Sequence, residues 1–324
     1  MYQLLALLTG IVLAVMISVN GGLTDQYGVF PATVIIHVIG SLFAMVLCLR
    51  GKERKTLFGH WPWWIYLGGV IGVFTTVFQN FSFGRISMTS IIALGLFAQT
   101  VMSLLIDHFG FFGMQKRRFE KTSLFGLIFS LIGILALLDG SVTGTLPAVF
   151  AAIASGITVV LSRTVNTRLS GRIGALPGSL VNHLTGLGAA IVITLIAAGG
   201  VPVINSGKGA FHPLIYCGGV FGVFIVYLFN ITVPKISAVR LTVLTFAGQI
   251  FTGVLIDLLV GHSYSQESVE AGVFISMGIV ITMITEQISQ KKRREQDEYW
   301  ARVRQSEEEY HQELIRRYAG RQEM

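Results

Sequence analysis

Long apolar runs recur almost end to end from the N-terminus to Ile288, separated by short polar connections. Each run is long enough to cross a hydrocarbon core of roughly 30 Å as a helix. The pattern predicts ten membrane-spanning helices, over 3–20, 30–49, 61–80, 86–107, 121–139, 145–163, 177–198, 212–231, 236–259 and 269–288. Beyond them, 290–324 changes character: KKRR, then mixed charge. Glu298/Arg302 and Glu313/Arg317 stand in the favourable i, i+4 order for helix pairs. Tyr299, Val303, Tyr310, Leu314 and Tyr318 form a weak apolar stripe. The tail therefore reads as a charged cytosolic helix, either solvated or engaging a partner, a cytosolic protein or a second copy of the chain.

Composition agrees with the pattern. The 324 residues are 52% hydrophobic and 13% charged, where soluble domains carry about 25% charged residues. The chain is an all-α integral membrane protein whose first partner is the lipid bilayer. The first segment lacks a basic n-region and an A-x-A site, so it is expected to be a retained span. The net charge of +7 would suit nucleic acid by its total, but its placement points to membrane flanks instead. Segments 50–60, 108–121, 163–172 and 233–240 hold thirteen Lys and Arg, whereas the alternate loops hold Arg85 and Lys208 alone. The rich side is expected to be cytoplasmic, with both termini there. Cys48 and Cys217 fall toward opposite faces and are expected to form no disulfide.

A repeat organises the spans. At a shift of 150, fourteen of forty positions match between 68–107 and 218–257 without a gap. The matches include GGVxGVF, Asn80/Asn230, Ile86-Ser87/Ile236-Ser237, Gln99/Gln249 and a closing L-I-D. At a shift of 146, Asn20 pairs with Asn166, Gly28 with Gly174, Pro31 with Pro177, His37 with His183 and Gly40 with Gly186. Chance matching of apolar residues would not align polar residues, glycines and prolines together. Two five-helix units follow, 1–140 and 141–289, with the tail at 290–324. Five is odd, so the second unit enters the membrane from the other side, and an inverted repeat favours secondary transport by alternating access.

The residues N-G-x-L…G-x-x-P, GGVxGVF and LLIDHFGFFG resemble the YdcZ family of the drug/metabolite transporter (DMT) superfamily. The second unit keeps GQIFTGVLID but continues LLVGHS. The resemblance covers 4–288 and implies a ten-helix carrier of a small solute in a prokaryotic inner membrane.

Candidate chemistry lies in the matched polar residues. Gln99 stands twelve residues after Ser87 and eight before Asp107, or roughly 18 and 12 Å from its span ends. Gln249 has equivalent spacing, so the two glutamines are expected nearest the midplane, either at a central solute site or tying helices together. His37 and His183 are expected in opposite membrane halves, as proton carriers or as packing residues. Asn20, Asn166, Asn80 and Asn230 are expected near span ends, as local caps or as further solute ligands. Asp107 with Lys235, and Asp257 with Arg85, are matched in sign, side and repeat position, and would form alternating gates if they pair.

No Asp or Glu lies deep in a span, so a neutral, zwitterionic or anionic solute fits better than a cation. No HExxH, CxxC or GxSxG motif occurs, and Gly207-Lys208 lacks phosphate-loop spacing. No enzyme activity, cofactor or metal is expected. A membrane sensor or scaffold acting through the tail is the competing reading.

Overall fold

The computed structural model describes residues 1–51, 57–86, 88–114, 116, 128, 132, 145–198, 213–260 and 266–319. The described chain is helical: α1 (Tyr2–Tyr27), α2 (Val29–Arg50), α3 (Gly68–Ser82), α4 (Met88–Phe109), α5 (Leu146–Ile173), α6 (Ala175–Ala198), α7 (Gly218–Thr232), α8 (Ala238–Val260) and α9 (Gln266–Ala319). Short 3₁₀ turns at Trp63–Tyr66 and Pro213–Cys217 lead into α3 and α7. Seven of the described helical segments are long and apolar enough to cross a membrane. The expected fifth span, 121–139, lies outside the described residues apart from Ile128 and Ile132. The expected tenth span forms the first part of α9, which continues without a break through the charged tail to Ala319.

Two helices run further than hydropathy predicts. α1 ends at Tyr27 instead of 20, and α5 ends at Ile173 instead of 163. Asn20, Arg163 and Asn166 are buried inside these helices, where an oily window reads them as the start of a loop. The expected loop 163–172 is therefore helical, and Arg163 leaves the count of loop charges.

Each long helix turns back through a single glycine. Gly28 (φ 82°, ψ 167°) joins α1 to α2, and Gly174 (φ 100°, ψ 160°) joins α5 to α6. That region of backbone space is essentially glycine-only, which accounts for the matched pair. Their N–H groups donate to Thr24 O at 2.7 Å and Ser170 O at 2.8 Å, closing the helix ends.

Packing crosses between the two matched sets of helices. α5 lies against α3 and α4, and α1 lies against α7 and α8. α6 lies against α3, α2 lies against α7, and α2–α6 and α4–α8 also meet. Glycines allow the close approaches. A Cβ on Gly10 would stand 1.8 Å from Thr245 O, and one on Gly156 would stand 2.0 Å from Gly95 O. The shared core includes Leu13, Ile17, Ile92, Leu96, Leu241 and Phe246. Helix α9 packs on α4 and α8. Cys48 and Cys217 are free thiols.

Candidate functional site

A cavity of about 100 Å³ lies between α1, α2 and α7 on one side and α3, α5 and α6 on the other. His37 of α2 and His183 of α6 meet there, with ring centroids 6.0 Å apart. Whichever half of the membrane each helix end faces, the two rings share one cavity. Each Nδ1 lies 2.9 Å from the carbonyl four residues back, Thr33 O and Ser179 O. A carbonyl only accepts, so Nδ1 carries the hydrogen and Nε2 is the titrating nitrogen. The matched glycines make room for the rings. A Cβ on Gly186 would meet the His37 ring at 2.5 Å, and one on Gly40 would meet the His183 ring at 2.2 Å. The H-x-x-G spelling in both sets is thus one reciprocal contact made twice.

The asparagines repeat this arrangement. A Cβ on Gly218 would stand 1.8 Å from Asn20 Oδ1, and one on Gly68 would stand 2.0 Å from Asn166 Oδ1. Asn166 Nδ2 also donates to Asn182 Oδ1 at 2.7 Å and Ser162 Oγ at 3.3 Å. Asn20 and Asn166 are mid-helix cavity residues, not the caps expected of span ends. Asn230 lines the cavity as well, donating to Ala175 O at 3.0 Å. Asn80 stands outside the lining and donates to Thr33 Oγ1 at 3.4 Å.

Gln99 and Gln249 are buried but do not border this cavity. Gln99 Oε1 has no hydrogen-bond partner. Lys235 is exposed in the turn before α8, whereas Asp107 is buried on α4 and acts electrostatically on Arg163. Arg85 is exposed and lies over the Phe81 ring at 4.1 Å. The side chain of Asp257 lies outside the described residues.

Arg163 is a cavity residue that the repeat does not announce. It is 3% exposed. Its Nη2 donates to Thr242 Oγ1 at 2.6 Å and Ser103 Oγ at 3.0 Å, bridging α5 to α8 and α4. Its guanidinium carbon sits 5.5 Å from the Phe229 ring centroid. Gln79, Ser162, Asn182, Thr75 and Thr76 complete the polar lining. None of these six, Arg163 included, has a repeat match. The usable signal is the four-residue spacing of Ser162, Asn166 and Ser170, continued one step of seven back to Ser155, a polar stripe along one helix face beside Arg163.

Asn230 also borders a larger vestibule, about 660 Å³, lined by Trp61, Trp64, Arg168, Arg172 and Pro234. Arg168 Nε donates to Phe112 O at 2.6 Å. At the other end of α7, the Tyr27 and Tyr216 hydroxyls hydrogen-bond at 2.5 Å and join α1 to the turn before α7.

A polytopic bundle with a buried polar cavity between two matched helix sets defines a class, the membrane carriers. The sequence model of the family described as "Putative inner membrane exporter, YdcZ" matches residues 1–136 and 147–285. The chain belongs to that DMT family and is an inner membrane transporter. A solved structure titled "Crystal structure of protein" is similar in fold, with a TM-score of 0.64 at 16% identity over 88% of this chain and 98% of that one. No curated protein matches the sequence.

Proposed function

We propose that the chain is a secondary carrier whose two inverted units, 1–140 and 141–289, exchange conformations around the His37–His183 cavity. One observation carries the reading: repeat-equivalent residues make reciprocal contacts around a single cavity, Asn20 on Gly218 with Asn166 on Gly68, and His37 on Gly186 with His183 on Gly40. Two interchangeable halves sharing one site are what alternating access requires.

Asn20, Asn166, Asn230, His37 and His183 are the solute-facing groups of the reading, and paired imidazole Nε2 atoms suit proton coupling. Gln99, Gln249 and Asn80 form a surrounding layer that ties helices together. The Lys and Arg asymmetry assigns the vestibule and both termini to the cytoplasmic side. Tyr27–Tyr216 then closes the outer side, and Asp107–Lys235 and Asp257–Arg85 act later in the cycle as gates.

The test needs no known solute. In a background with Cys48 and Cys217 replaced by Ser, Thr76→Cys places a thiol in the cavity. An impermeant maleimide should reach it from either face of membrane vesicles, because each face opens in turn. Cross-linking Tyr27→Cys with Tyr216→Cys should abolish labelling from outside and preserve it from inside. Labelling from only one face before cross-linking refutes alternation.

A further inference from the structure

We propose that the cavity takes a small amphiphilic carboxylate, its acid head on Arg163 and its apolar body against Ile225 and Phe229. The inference rests on the carrier reading and names its solute class.

The first observation is charge. Among the described residues, Arg163 is the one Lys or Arg side chain lining the cavity, and no Asp or Glu lines it. A buried guanidinium demands partners, and an intramembrane ionisable group marks a solute or ion path. Nη2 is satisfied by Ser103 and Thr242, but Nη1 is buried with no hydrogen-bond partner. One arm is therefore anchored and the other is free to bind. Guanidinium favours oxyanions as charge-assisted acceptors, and Nη1 is the arm left to receive one. Asp107 lies one helical turn beyond Ser103 on α4 and supplies an electrostatic counter-charge from outside the lining.

The second observation is independent: the two walls are chemically unequal at positions the repeat makes equivalent. Arg163 corresponds to Ile17, and Asn182 corresponds to Ile36. Thr75 corresponds to Ile225, and Gln79 corresponds to Phe229. Helices α3, α5 and α6 thus give the more polar wall, while α1, α2 and α7 set Ile36, Ile225 and Phe229 at the equivalent places beside Asn20, His37 and Asn230, with Ile17 outside the lining. The anchors differ in the same sense. Ser103 and Thr242, which hold Arg163, correspond to Gly253 and Ile92, which pack together where a Cβ on Gly253 would meet Ile92 Cδ1 at 2.7 Å. At these positions polarity is kept in only one set, whereas His37/His183 and Asn20/Asn166 keep it in both. A uniformly polar solute would leave the apolar wall unused, and an apolar one would leave Nη1 unpaired.

Thermal unfolding of the full chain in lipid nanodiscs tests this with 3-phenylpropanoate, its amide, 3-phenylpropylamine and acetate. The carboxylate should raise the unfolding temperature, with binding at least about tenfold tighter than the amide, the amine or acetate. Arg163→Gln should abolish the shift, and Arg163→Lys should keep part of it. Discrimination among the four probes by the unmodified protein stands even if Arg163→Gln fails to fold. An equal or larger shift with the amide or amine, or a carboxylate shift unchanged in Arg163→Gln, overturns the proposal. So does no shift with any probe. The ligand-free labelling experiment then decides the carrier reading separately.

Discussion

Gly10 and Gly156 offer the sharpest test of the reciprocal packing. At Gly10, a Cβ would sit 1.8 Å from the backbone oxygen of Thr245, and at Gly156 it would sit 2.0 Å from that of Gly95. Real Cβ atoms essentially never approach closer than 3.0 Å, so Gly10→Ala requires a retreat of at least 1.2 Å and Gly156→Ala at least 1.0 Å. The obstacle is backbone, which no rotamer change can move. The cost should follow that of overpacked cores, about 1–3 kcal/mol for each substitution. Gly188→Ala is the internal control: its Cβ meets nothing within 4 Å and its φ is ordinary. Alanine there should be neutral or gain up to ~1 kcal/mol in helix propensity. At about 2–4 °C per kcal/mol, thermal unfolding in nanodiscs separates the variants. Gly10→Ala and Gly156→Ala should fall together by similar amounts. If either matches Gly188→Ala, that close contact is absent from the working protein. If only one falls, the two contacts are not reciprocal.

Further outcomes follow from other contacts. Gly28→Ala and Gly174→Ala place a side chain at φ 82° and φ 100°, and each should lower stability by about 1–3 kcal/mol in thermal unfolding. Gly40→Ala drives a Cβ into the His183 ring at 2.2 Å. It should displace that imidazole and weaken solute binding, as measured by ligand-induced thermal shift. If the histidines carry protons, His37→Gln with His183→Gln should leave ligand binding measurable but remove the effect of an imposed pH gradient on proteoliposome uptake. Removing 290–324 should leave ligand binding and uptake intact, and loss of both would favour a scaffold acting through the tail.

The sequence made the helical membrane fold and the paired contacts readable because its repeat is written in residues with backbone or polar roles. Gly28/Gly174 need a glycine-only conformation, and Gly40/Gly186 need the room that a ring takes. Such positions resist drift in both sets, so they align. Span ends were less readable. Hydropathy falls at Asn20 and Arg163, yet both helices continue because the polar groups face a protein interior and not lipid. The spacing rule placed Gln99 and Gln249 near mid-span by counting residues from span ends. Depth alone does not say which side of a helix faces a cavity. His37 and His183 were separated on the same count, while their helices α2 and α6 bring the rings to 6.0 Å.

The positions that match and those that do not therefore answer different questions. Matched residues describe what the two units share: the turn, the close approach, the imidazole against glycine. A carrier built from interchangeable halves needs that identity for its motion. A solute has no such symmetry, and the groups that distinguish its ends must break the match. Arg163 opposite Ile17 and Asn182 opposite Ile36 break it at the cavity. In an inverted repeat, similarity points to mechanism, and the polar residues lacking a counterpart point to specificity. Exchanging the two sides tests that division: Arg163→Ile with Ile17→Arg keeps the composition while moving the cation to the other helix set. Transport geometry, read by labelling of Thr76→Cys from both faces, should survive. The preference for carboxylate over amide should be lost, because Ser103 and Thr242 no longer anchor the guanidinium and Ile92 with Gly253 offer it no acceptor side chain. Retention of that preference would mean the cation alone sets selectivity, and its anchoring does not.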